Sequence, residues 1–267
     1  MTQLIAAICD NGRSVVTVSD RMISTGDMTL TFEPDQSKAI PITPYALVLT
    51  SGTMHEPDLI EDARQRLRGK ERVREIGDLL KAVYQEIRQT RIEDEILRPL
   101  AGIGSFSEYH QKQAGLHEAL VFDLNSRIQN FEVGLVLILA GMDERGHVLV
   151  IGDPGTWTSW DAVGHAFAGM GNRHADSVFA WYKYTQSFNL NEALYIAFEA
   201  KTRAEAAGGV GRATDIHIIN ENGLFKLKET VIQELERIYD DRQSRERRGF
   251  DQRVTDLQLE KEPLATA

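Results

Sequence analysis

The chain holds one cysteine, Cys9, in 267 residues. That excludes an internal disulfide framework and any zinc cage built from several thiolates. Long apolar runs are missing as well: nothing approaches the roughly 18 residues of a membrane span. The opening MTQLIAAICDNG has no basic segment ahead of a long apolar one, so it does not read as a secretion signal. Positive charge is in deficit, with Lys plus Arg at 30 against Asp plus Glu at 40, a formal charge of −10. Nucleic-acid backbones are bound through a positive footprint that releases counterions, and this balance argues against such a partner. The expectation is a cytoplasmic protein with no nucleic-acid or membrane partner.

What is present is ordinary globular material: 42% hydrophobic and 26% charged residues, enough for a sizeable core. Residues 2–9 and 14–18 are apolar at both odd and even positions, which predicts strands buried on both faces. Asn11-Gly12 between them is a hairpin signal. A second strand pair is predicted at 38–42 and 46–50, turning at Pro44. Residues 57–98 carry apolar side chains at helical spacing and predict two amphipathic helices broken near Gly69. A polar loop is expected from Pro99 to His117, then strands at 119–123, 134–141 and 147–152 and a short one near 155–163. Helices follow after Gly171 and from Asn191, the second stopped by Gly208-Gly209-Val210-Gly211, and 214–220 with 224–227 predict a closing hairpin. Residues 228–252 read as a charged helix and 253–267 as a frayed tail. Two antiparallel sheets face to face, with helix pairs outside, would cover every strand. The chain therefore reads as α+β, one domain over 1–227 and a charged helix with its tail over 228–267.

Four positions carry the chemistry. Removal of the initiator methionine from a Met-Thr start leaves Thr2 with a hydroxyl nucleophile and an amine base, whose ordinary pKa is about 7.7–8.0. Asp20 ends the second strand, where the first hairpin returns the chain beside Thr2. Lys38 opens the third strand and is a cationic partner for Asp20; near the amine it would lower the pKa of amine and hydroxyl alike. Gly52, after the fourth strand, lets a backbone N–H approach a reacting carbonyl. Each also has a plain structural reading, an Asp20–Lys38 ion pair and a turn at Gly52.

The run Thr2…Val15-Val16-Thr17-Val18-Ser19-Asp20-Arg21…Lys38…Ser51-Gly52 resembles the opening of proteasome β-type subunits and their bacterial relatives. These are N-terminal nucleophile (Ntn) hydrolases with a four-layer αββα sandwich. The resemblance continues in 147–153, in Gly169-Met170-Gly171 before a helix, in 190–194, and in Gly208-Gly209-Val210-Gly211…Thr214-Asp215-Ile216. It implies a threonine peptidase in which Thr2 attacks, Lys38 tunes it, Asp20 orients Lys38 and the Gly52 N–H binds the oxyanion. Glu205 stands where the family has an aspartate and is, by that resemblance, a fifth candidate catalytic residue supplying the carboxylate with a different reach; Met170 stands where the family has a serine. Those departures motivate a second reading, a structural ring subunit without turnover; a small-molecule amidase of the same class is a third. The resemblance further implies a peptide or unfolded-protein substrate, a homo-oligomeric ring, a possible ATP-dependent unfoldase partner and no cofactor.

Other patterns read as architecture. Gly169-x-Gly171 lacks the third glycine of a dinucleotide loop. His165 and His174 are not at metal-ligand spacing on one helix face. Trp157, Trp160, Trp181, Tyr182 and Tyr184 read as packing or inter-subunit contacts.

Overall fold

The computed structural model describes residues 2–24, 31–35, 37–52, 56–69 and 71–255. Met1, Thr53 and the tail beyond 255 lie outside them. The chain divides into two compact units, Met1–Leu227 and Lys228–Ala267.

In the first unit, strands β1 (Gln3–Cys9), β2 (Ser14–Asp20), β3 (Ile23–Ser24), β4 (Thr31–Phe32), β5 (Ala39–Thr43) and β6 (Ala46–Ser51) come first. Helices α1 (Glu56–Arg66), α2 (Val73–Ile92), α3 (Arg98–Ala101), α4 (Phe106–Lys112) and α5 (Glu118–Gln129) follow. Then come β7 (Val136–Met142), β8 (Gly146–Gly152), β9 (Thr156–Ser159) and β10 (His165–Gly169), helices α6 (Asn172–Tyr182) and α7 (Leu190–Ala204), and the hairpin β11 (Thr214–Asn220) and β12 (Gly223–Lys226). The second unit contains one charged helix, α8 (Glu229–Thr255).

Two antiparallel five-stranded sheets result, ordered β10-β1-β2-β11-β12 and β5-β6-β7-β8-β9. Strand period 2 sorts their side chains. Leu4, Ala6, Ile8 and Val15 of the first sheet share one buried cluster with Leu47, Leu49, Ile138, Ala140 and Val148 of the second. The alternate residues Val48, Leu137, Leu139, Leu149 and Ile151 turn outward, onto Leu59, Ile60 and Ala63 of α1 and Ile76, Leu80 and Val83 of α2. On the first sheet, α7 packs against β1 and β2, and α6 against β10. Every residue of β1 and β2 is buried, as strands covered on both faces must be. The molecule is α+β, and its layering is compatible with the expected sandwich.

Three local readings need correction. Residues 119–123 form helix α5, not a strand. The run Ala119-Leu120-Val121-Phe122 is too short to separate the two periods, but Leu120, Leu124 and Ile128 recur every four residues and pack on Ile92, Leu97 and Ile103. The His117 side chain accepts from Ala119 N, and an Asp123–Arg127 pair one turn apart supports the same helix. The polar loop to His117 also contains a helix, α4, whose N-cap Ser105 accepts from Glu108 N at 3.2 Å. Finally, β10 is a strand that the local pattern does not announce. Its Ala166 and Ala168 join the core between the sheets, while the His165 and Phe167 rings both pack on Phe179 with centroids 4.9 Å apart.

Candidate active site

The ends of three strands converge on Thr2. β1 pairs with β10 so that Gln3 faces Gly169, and the Met170 N–H donates to the Thr2 carbonyl at 2.9 Å. Gly169 has φ +108°, and a Cβ there would run into that same carbonyl oxygen. Only glycine lets the two chains come this close. On the other side, β2 pairs with β1 through Leu4 and Ser19, which brings Asp20 level with Gln3.

Asp20 is fully buried, and its carboxylate is completely occupied. Oδ1 accepts from Gln3 N at 2.8 Å and from Lys38 Nζ at 2.9 Å. Oδ2 accepts from Gly211 N at 3.0 Å and from Met22 N at 3.2 Å. A charge this deep persists only when so paired. Lys38 arrives from the opposite sheet, where its carbonyl accepts from Thr50 N at 3.0 Å just ahead of β5. Its Nζ spans Asp20 and the Thr2 hydroxyl, donating to Thr2 Oγ1 at 2.7 Å. Thr2 is 5% exposed and the Lys38 side chain 11%, so the cluster lies just under the surface. It comprises a hydroxyl, a cation bonded to it and a carboxylate holding that cation.

Gly52 lies two residues beyond Thr50, the residue paired with Lys38, at the end of β6. Its φ of +141° and the nearness of the Gly134 carbonyl admit no side chain. That facing segment is pinned: the Asp153 carboxylate accepts from Val133 N and Gly134 N, each at 2.9 Å.

Glu205 is placed differently from expectation. It is the C-cap of α7, and its Oε1 accepts from Lys201 Nζ at 2.8 Å rather than meeting Thr2, Asp20 or Lys38. Met170 meets Thr2 through its backbone N–H, and the residue is 60% exposed.

No known protein-family profile matches the chain, and no curated protein resembles it in sequence.

Sequence reasoning passed over three participants. Gly211 supplies an N–H to Asp20, although its glycine run reads as a helix stop. Asp215 is fully buried and binds Arg21 through two bonds, of 2.9 and 2.8 Å, and Lys226 at 2.6 Å. Burial pushes its carboxyl up, but the bonds from Arg21, Lys226 and Ser37 outweigh that and hold it well below the ordinary range. Lys201 is fully buried within the alanine-rich face of α7, and a lysine among Ala197, Ala200 and Ala204 was the available signal. Among the described residues, no group of three or more His, Cys, Asp or Glu side chains is placed to hold a metal ion, and no helix is long and apolar enough to cross a membrane.

Proposed function

We propose that this chain is a threonine peptidase of the N-terminal nucleophile class, with a proteasome-like αββα sandwich. The observation carrying the reading is Lys38 Nζ held between Asp20 and the Thr2 hydroxyl, 2.9 Å from one and 2.7 Å from the other. A cation bonded to a hydroxyl stabilises the alkoxide that forms as the hydroxyl attacks.

The reaction follows from those groups once Met1 is removed. Thr2 Oγ1 forms a bond to the peptide carbonyl carbon, the carbonyl electron pair moves to oxygen, and the hydroxyl proton passes to the Thr2 amine. The Gly52 N–H is assigned to the oxyanion. Collapse breaks the C–N bond, the leaving nitrogen takes the proton from the ammonium, and an ester to Thr2 remains. Water then adds, with its proton going to the amine; the second collapse frees the carboxylic acid and returns a proton to Oγ1.

On this reading the substrate is a peptide or unfolded protein, and the protein works as a homo-oligomeric ring in the cytoplasm, with an ATP-dependent unfoldase as possible partner. The exposed Met170 and the engagement of Glu205 by Lys201 favour the second reading, a ring subunit of the same fold without turnover. Intact mass before and after a peptide vinyl sulfone separates the two. The peptidase reading requires a chain lacking Met1 that gains one adduct on Thr2, and none in Thr2→Ala. A Met1-bearing active protein, or undiminished hydrolysis by Thr2→Ala, overturns it.

A further inference from the structure

Lys201 is a buried cation with no part in the reaction just described. Its side chain is 0% exposed, and Nζ donates to Glu205 Oε1 at 2.8 Å and to the Arg212 carbonyl at 2.7 Å. Taking an ammonium out of water is costly even after relaxation, so its surroundings must hold it by good bonds. The second of those bonds leads back to the centre. Arg212 follows Gly211, whose N–H donates to Asp20 Oδ2 at 3.0 Å. The Arg212 carbonyl also accepts from the Thr214 hydroxyl at 3.0 Å, on the strand residue that pairs with Asp20.

We propose that Lys201 is a positioning residue for the Thr2 centre, clamping the Arg212 carbonyl to α7 so that the Gly211 N–H reaches Asp20. The proposal rests on the threonine-peptidase reading and deepens it. With Oδ2 engaged by Gly211 and, at longer range, by Met22 N, the carboxylate plane is set and Oδ1 faces Gln3 N and Lys38. Without that donor Oδ2 keeps only the longer bond from Met22 N, at 3.2 Å, so the carboxylate is held less firmly about its last torsion and Lys38 loses its aim at Thr2 Oγ1. Glu205 then acts as the counter-charge that keeps Lys201 an ammonium inside the fold.

The test uses the full chain with Lys201→Met, which keeps the length of the stem and removes the charge. Two quantities are read: the maximal inactivation rate and half-saturating concentration for a tripeptidyl vinyl sulfone, and hydrogen–deuterium exchange at the Gly211 amide. The inactivation rate is expected to fall about 10- to 100-fold, as small misplacements of reacting groups do. The half-saturating concentration stays unchanged, and Gly211 exchanges faster while β1 amides stay protected. A purely structural role would lower folded fraction without that split. A folded variant with the wild-type inactivation rate, or with wild-type protection at Gly211, overturns the proposal. Should Lys201→Met not fold, Glu205→Gln keeps the shape and removes the counter-charge; a smaller loss of rate at constant half-saturation is expected, and an unchanged rate overturns the proposal. If wild-type Thr2 takes no vinyl sulfone at all, the peptidase reading fails, and Gly211 exchange still decides the clamp.

Discussion

Lys38 Nζ donates to Thr2 Oγ1 at 2.7 Å across 36 positions of chain, although one residue opens into the first sheet and the other into the second. The bond therefore exists only while the two sheets are packed. The core formed by Leu4, Ala6, Leu47 and Leu49 sets the distance between nucleophile and cation.

Lys38→Met tests both halves of that relationship. The aliphatic stem is retained, but Asp20 is left buried with backbone donors and no cation. Breaking such a pair from one side costs about 3 kcal/mol or more, which urea unfolding would read. Thr2 labelling by a peptide vinyl sulfone should drop by about 100-fold or more at saturating probe, the usual penalty for deleting a charge-stabilising group. Labelling at the wild-type rate would remove Lys38 from the site.

Gly169→Ala is expected to fail for a different reason. Its φ of +108° strains any side chain, and the added Cβ meets the Thr2 carbonyl oxygen. The strain is worth about 1–3 kcal/mol, and relieving it moves Thr2 away from Lys38. Gly115→Ala, with open space around its Cβ, is the control and should change neither melting temperature nor labelling. Equal effects at the two positions would contradict this account.

Much of this was legible because strand geometry carries it. With period 2 and one tight turn, the hairpin that puts Leu4 opposite Ser19 also puts Asp20 beside Thr2. Lys38 could be assigned as a partner because a buried Asp needs a cation, but its reach to Oγ1 depends on how the sheets stack, which no local pattern encodes. Two of the three misses share a cause. Residues 119–123 and 165–169 are five-residue apolar segments, and tertiary partners decide their form: Ile92 and Leu97 for the first, β1 for the second. The expectation for Glu205 comes from the resemblance alone, and nothing in the local pattern shows that its i−4 neighbour Lys201, set in an apolar stripe, engages it instead.

Cys9 supplies a clean background for those labelling experiments. It is fully buried, and burial, with Asp10 adding to it, pushes the thiol up to about 12. At pH 8 the thiolate fraction is then about one in ten thousand. Iodoacetamide should leave the native protein unmodified for hours and alkylate it stoichiometrically in urea. Fast native alkylation would mean that β1 opens locally.

The helix that carries Lys201 can be weakened from its far end. Asn189 accepts from Glu192 N at 3.0 Å while Glu192 accepts from Asn189 N at 2.9 Å, a reciprocal cap. Asn189→Ala should cost about 1 kcal/mol in urea unfolding and leave Thr2 labelling intact, since the clamp sits at the opposite end of α7. A loss of labelling without loss of stability would contradict that separation.

Asp161 contributes to acid stability alongside Asp215; its side chain is 5% exposed and accepts from Val148 N at 2.9 Å while bonding His147 Nδ1 at 2.8 Å. Arg74 and Arg145 stand 3.5 and 3.8 Å from the same carboxylate. Burial alone would raise its pKa, but the bonds from His147, Val148 N and Ser159 prevail and bring it down from 3.8 to about 2. The folded value is the lower one, so the folded state binds fewer protons, and the contribution is fully present above about pH 4. It drains away as the pH falls through 2, and amounts to about 2 kcal/mol at neutrality. Asp161→Asn should lower the unfolding free energy at pH 7 by about that amount and flatten its dependence between pH 4 and 2. Parallel curves for variant and wild type across that interval would show that another carboxylate carries the acid transition.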